Sequence, residues 1–194
     1  DNLEKILISL IDNSYVNYFK SNKIIYACLN GILHFYLGLS IFNTEDQYDS
    51  EEPLMKSLDF FNSLPMVVKM RYINIFQEIY NNLGILYYNK GEIVKGLQFF
   101  GKAEQMYKVF NDLNGHNITN NFNTFMTNFS KDNQNDSLSV GGNSAENLEF
   151  FNFFIDGGLN RKTFEHNFTL TIFYYAQAYT KLGFRKKAIK YGIL

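Results

Sequence analysis

Tyr80-Asn81-Asn82-Leu83-Gly84-Ile85-Leu86-Tyr87, followed a short polar break later by Gly96-Leu97-Gln98-Phe99-Phe100-Gly101-Lys102-Ala103, decides the fold of this chain. Stripped to its framework, it reads Tyr80-x-x-Leu83-Gly84-x-x-Tyr87 and then Gly96-x-x-x-Phe100-x-x-Ala103. Each half keeps its apolar positions three and four residues apart, the period of a helix with one buried face. The small residues let two antiparallel helices approach closely, and the aromatic rings fill the space between them. Gly91 stands at the turn joining the halves. The stretch therefore predicts a helical hairpin.

This spacing resembles that of the tetratricopeptide repeat, in which such hairpins stack. Leu37-Gly38 falls at the Leu-Gly place of a repeat before it, and His34 at one of its core-packing positions. Ile172, Tyr175, Ala176 and Tyr179 match the four packing positions of a later first helix. Gly183 is its turn, Ala188 its small partner residue, and Tyr191 begins its aromatic end. The fold expected is an all-α, tetratricopeptide-like α-solenoid of antiparallel helix pairs. One domain over 1–194 holds a first repeat at about 24–64, a second at 66–110 and a truncated third at 164–194. The truncation should leave Tyr191, Ile193 and Leu194 partly unpaired.

Between the second and third repeats the texture changes. Asn111 to Asn147 holds eleven asparagines among Ser, Thr, Gly and Asp. Such polar, low-complexity sequence buries too little apolar surface to offset its ordering entropy. A disordered Asn-rich insertion is expected over 111–160. Phe122, Phe125 and Phe129 could form a docking turn within it, and Leu148–Ile155 anchors its far end.

Toward the N-terminus, Leu3, Ile6, Leu7, Leu10, Ile11 and Tyr18 predict an amphipathic helix over 3–19. A second helix runs from Ile24 to Phe42, 19 residues without a formal charge. That length approaches a bilayer span, but Asn30, His34 and Ser40 interrupt it, which favours a buried core helix. Ser50-Glu51-Glu52-Pro53 predicts the start of a third, with a capping hydroxyl, acids for the dipole and a first-turn proline. Pro65 stops that helix or opens its successor, a helix of about 24 residues over Met66–Asn89. Glu92–Phe110 is the partner helix.

Chemistry leaves few marks. His34, His116 and His166 are widely separated, and none has a Cys, Asp or Glu at metal-ligand spacing. Nucleophile elbow, phosphate loop, dinucleotide fingerprint and HExxH are all missing from the sequence. Gly141-Gly142 has no preceding strand. Neither an enzyme nor a cofactor is expected, and no metal site or small-molecule substrate. The net charge of −1 gives no general attraction to nucleic acid or acidic lipid. The lone Cys28 points to a reducing, cytoplasmic setting and a packed thiol. The one basic cluster, Arg185-Lys186-Lys187 with Lys190, reads as a solvated helix face, or as a contact for an acidic partner.

A stack of hairpins does provide a concave inner face lined by each first helix. Its expected residues are Glu78, Asn81, Asn82, Ile85, Tyr88 and Asn89 in the central repeat, and Leu170, Phe173, Tyr174, Gln177, Thr180 and Lys181 in the last. Rigid aromatics among adaptable amides suit protein recognition. A carboxylate clamp of the co-chaperone type is not matched: Ile85 stands where the clamp needs an amide, and Asn82 where one subset needs a cation. A generic scaffold or co-chaperone that grips a peptide in this groove remains the alternative.

Three blocks, taken in order, resemble the kinesin-binding protein family. They are Phe35-x-Leu37-Gly38 with Thr44-Glu45-Asp46 and Glu51-Glu52-x-Leu54-x-Lys56-x-Leu58; Asn81-Asn82-Leu83-Gly84-Ile85-Leu86 with Glu92-Ile93; and Phe164-Glu165 with Tyr174-x-Ala176-Gln177-x-Tyr179 and Lys187-Ala188. The resemblance covers most of 24–110 and 164–191, as the N-terminal part of a longer protein. The Asn-rich insertion is longer here, and Phe173 and Tyr175 depart from the pattern. The resemblance implies a cytoplasmic, cytoskeleton-associated protein that binds kinesin motor domains and keeps them off microtubules. It makes Tyr174 and Gln177 the leading contacts, and the groove positions of Asn81, Asn82, Tyr88 and Lys181 add them to the expected partner-binding face.

Overall fold

Two glycines and the side chains that fill them set the architecture. A Cβ placed on Gly84 would lie 2.4 Å from Cε1 of Phe100, and one on Gly38 would lie 2.7 Å from Cγ and Cδ2 of Leu54. Both pairs are i and i+16, so the same close approach occurs twice. The computed structural model describes residues 2–12, 22–44, 46–115 and 161–192. Among the described residues every regular element is helical: α1 (Asn2–Asp12), α2 (Lys23–Phe42), α3 (Glu51–Asn62), α4 (Ile73–Asn89), α5 (Ile93–Gly115), α6 (Arg161–Lys181) and α7 (Arg185–Gly192). A 3-10 turn at Gln47–Ser50 leads into α3. One helical turn at Met66–Lys69 and a 3-10 turn at Met70–Tyr72 lead into α4.

The helices pair as hairpins. In α2/α3, Gly31 meets Phe61 while Gly38 meets Leu54; in α4/α5, Gly84 meets Phe100 while Gly96 meets Tyr88. In α6/α7, Tyr175 stacks on Tyr191 at 4.6 Å while Tyr179 meets Phe184. Partner numbers fall as the first number rises, which makes each pair antiparallel. Two turns share one device. Gly91 (φ +84) and Gly183 (φ +76) take the left-handed conformation, and the residue after each donates back across it, Glu92 to Tyr87 O and Phe184 to Tyr179 O, both at 2.9 Å. That is the glycine-terminated helix end.

Hairpins then stack through buried rings and amides. Phe61, fully buried, lies against Tyr72 at 4.7 Å and Phe76 at 5.8 Å. The Tyr87 hydroxyl donates to Glu51, and Lys90 reaches Glu51 Oε2 at 2.5 Å, tying the first hairpin to the second. Between the second and third, Phe110 stacks on Phe164 at 3.8 Å and Tyr107 on Phe168 at 4.0 Å. Cys28 and His34 are buried within the first hairpin's packing, and the His34 Nδ1 lies 2.9 Å from the Asn30 carbonyl. Burial pushes the Cys28 thiol up and the His34 imidazole down from their ordinary values.

α2 is long and apolar enough to cross a bilayer by length and composition. Eight of its residues are nonetheless buried against neighbouring helices, and the Asn22 side chain caps it by accepting from the Ile25 N–H at 3.2 Å.

Several expectations need correction. Ser50 does not cap α3 with its hydroxyl; that group donates backward to Gln47 O at 2.5 Å, and its backbone is already helical. Of the two roles open to Pro65, the structure gives it the second, at the N-terminal cap of Met66–Lys69. The single helix expected over Met66–Asn89 is broken at Met70–Tyr72, where the chain tightens to bring Tyr72 under Phe61. Tyr191 is half-buried, stacked on Tyr175 and, at 5.7 Å, on Tyr179. α1 is described over Asn2–Asp12, and 13–19 of the helix expected there lie outside the described residues; α5 runs past Phe110 to at least Gly115. Tyr18, His116, Phe122, Phe125, Phe129, Gly141-Gly142, Leu148–Ile155, Ile193 and Leu194 lie outside the described residues.

Candidate protein-binding face

α4 and α6 run side by side in the same direction. Gln77 Nε2 donates to Phe164 O at 3.2 Å, and one turn later Asn81 Nδ2 donates to Asn167 O at 2.7 Å. This close approach changes what the expected inner face presents. Asn81 is 1% exposed, and its Oδ1 accepts from the Thr171 hydroxyl at 2.7 Å. Asn82 and Ile85 are buried as well. These three residues were expected to meet a partner, and the structure corrects that: α6 and the neighbouring core occupy them. The signal that could have revealed it was Asn167 and Thr171 on α6, one turn apart and able to pair with α4.

The rest of the expected set gathers at the C-terminal ends of α4 and α6. Tyr174 is half-buried, stacked on Phe100 at 5.5 Å and edge-on to Tyr88 at 5.5 Å. Lys181 Nζ sits 3.9 Å over the Tyr88 ring, a close cation–π contact. Gln177, Asn89 and Thr180 are exposed, though the Thr180 hydroxyl donates to its own helix at Ala176 O. Phe173 is 54% exposed and meets Tyr174 at right angles. Burial raises the Tyr174 phenol above its usual range. The ring is a neutral, largely fixed surface.

At the other end of the same face, Glu78 and Leu170 are half-buried and His166 is exposed. Burial pushes the Glu78 carboxyl up, and His166 partly offsets this. Among the described residues no group of three or more His, Cys, Asp or Glu could hold a metal ion. Phe100 is the residue that the sequence reading assigned only to the core: it fills Gly84 on one side and supports Tyr174 on the other. Its fixed position therefore sets that of the exposed rings.

Compared with protein-family models, curated proteins and solved structures, the chain matches none.

Proposed function

We propose that this chain is a tetratricopeptide-like α-solenoid that binds another polypeptide and carries out no chemistry. Following the resemblance of its three sequence blocks, the partner is a kinesin motor domain. The observation that carries the solenoid reading is the repeated close approach of Gly38 to Leu54 and Gly84 to Phe100 at one sequence separation. Two hairpins built on one rule extend by stacking.

The binding reading rests on the face at the ends of α4 and α6. Phe173, Gln177 and Lys181 are exposed there beside Tyr88 and Tyr174, whose rings are held in place from below. Pre-ordered aromatics lose little entropy on binding. The mechanism is steric: a motor held on this face cannot present its filament-binding surface to a microtubule. The setting is the cytoplasm, where motor and filament meet.

The test is microtubule co-sedimentation of a panel of kinesin motor domains, with and without the protein. The proposal expects at least one motor to move from pellet to supernatant as the protein is added. If every motor still pellets, and a library of C-terminal peptides binds instead, the chain is the alternative, a peptide-binding scaffold.

A further inference from the structure

The seam between α4 and α6 is polar where a buried helix contact is ordinarily apolar. Gln77 and Asn81 on α4, and Asn167 and Thr171 on α6, are all buried. Gln77 Nε2 donates to Phe164 O at 3.2 Å and Asn81 Nδ2 to Asn167 O at 2.7 Å. The Thr171 hydroxyl donates to Asn81 Oδ1 at 2.7 Å and lies 2.9 Å from Asn167 O. Asn81 therefore both donates to α6 and accepts from it.

This seam is not built for strength. Gln77 Oε1 and Asn167 Nδ2 are buried with no hydrogen-bond partner among the described residues. A half-satisfied polar seam holds two helices together less well than an apolar one of the same shape. Adhesion comes from the α5 side of α6, where Phe164 lies flat on Phe110 and Phe168 flat on Tyr107, with ring planes 10° and 6° apart. Stacked ring faces attract, but they are only weakly directional and tolerate a slide. Amide bonds do not. A slip of α6 by one turn, about 5.4 Å, would break all three bonds to α4 at once.

We infer that Asn81, with Gln77 and Thr171, is a positioning residue: it selects one register of α6 against α4 rather than adding to the stability of the stack. Buried polar groups play this part in other helical assemblies, where they choose among packings that apolar contacts leave nearly equivalent. The register selected here brings Lys181 Nζ 3.9 Å over the Tyr88 ring and sets Tyr174 edge-on to Tyr88. The consequence for a partner rests on the proposed binding face; the register itself does not.

NMR of the full chain tests this. In the parent, the Lys181 ε-methylene protons should be shifted upfield by the Tyr88 ring and give cross-peaks to it. Three variants are compared: Gln77→Leu/Asn81→Leu/Thr171→Val, Thr171→Val alone, and Thr171→Ser. The triple variant exchanges all three polar side chains for apolar ones of similar size, so none of the three is left unpaired. It should melt at or above the parent's temperature yet lose the upfield shift and the cross-peaks, its Lys181 signals splitting or broadening over several registers. Thr171→Val should lose part of the shift, whereas Thr171→Ser, which keeps the hydroxyl, should retain it. A triple variant with the parent's shift and cross-peaks would overturn the proposal. So would one that fails to fold or melts well below the parent, because the amides would then hold the stack together rather than choose its register. Identical spectra for Thr171→Val and Thr171→Ser would count against it equally. The readout needs no partner, so its failure is told apart from a failure of motor binding.

Discussion

Gly84→Ala adds one methyl group, and its effect can be worked out from the seam between α4 and α5. In an open helix the change would be stabilising by about 1 kcal/mol, because alanine loses less backbone entropy. Here the new Cβ would stand 2.4 Å from Cε1, 2.6 Å from Cδ1 and 2.9 Å from Cζ of Phe100, against the ~3.5–4.0 Å at which carbons normally rest. The ring has nowhere to go. Phe100 is fully buried and is held between Tyr174 at 5.5 Å and Tyr175 at 6.0 Å. Relief requires the two helices to separate, and overpacking of this kind costs about 1–3 kcal/mol. Set against the helix-propensity gain, this leaves a net loss of about 1 kcal/mol, which at this chain length lowers the melting temperature by ~2–4 °C. Urea unfolding of Gly84→Ala, Phe100→Leu and the double variant is the assay. The smaller Leu should absorb part of the clash, giving a coupling of about 1 kcal/mol. Gly192→Ala, with nothing within 4 Å of the new Cβ, is the control and should lose nothing. A Gly84→Ala protein as stable as the parent, with costs that simply add in the double variant, would refute the close-approach argument.

Two further outcomes follow from the buried polar groups. Asn81→Ala should destabilise by about 1–3 kcal/mol in urea, because it removes bonds to Asn167 and Thr171 across the α4/α6 seam; Asn82→Ala should cost less, since its Nδ2 is buried without a partner. Acidification should weaken the fold in two windows. Burial lowers His34, so the folded state holds that proton less tightly than the unfolded chain, and stability falls as pH drops below about 6.5. Burial alone would raise Glu51, but Lys90 and Tyr87 outweigh it and hold the carboxyl below its ordinary range. Its contribution is therefore lost further down, as pH falls below about 4.3. Melting curves of His34→Gln and Glu51→Gln against pH should each flatten one window and leave the other.

Gly84, Phe100, Gly91 and Gly183 were legible because close packing and left-handed turns demand particular residue types at fixed intervals. The burial of Asn81 was not. Its partners lie 86 and 90 residues away, and a polar side chain on an expected surface position looks the same whether water or a neighbouring helix satisfies it. Ser50 failed for a related reason: a hydroxyl before a helix can cap forward or bond backward, and the 3-10 turn at Gln47–Ser50 decided between them. The break at Met70–Tyr72 has no glycine or proline inside it to announce it. It is set by tertiary contact with Phe61. Tyr88, Tyr174, Gln177 and Lys181 kept their expected neighbourhood, because all four sit near helix ends beyond the crowded middle of the α4/α6 seam.

The most direct measurement is the affinity of the responding motor domain for the parent protein and for Phe173→Ala/Gln177→Ala/Lys181→Ala. These three exposed residues can be cut back while Tyr174 and Phe100 stay in place. The account predicts a loss of at least about 100-fold, a few kcal/mol from a hot-spot cluster, at an unchanged melting temperature. An affinity equal to that of the parent would contradict it.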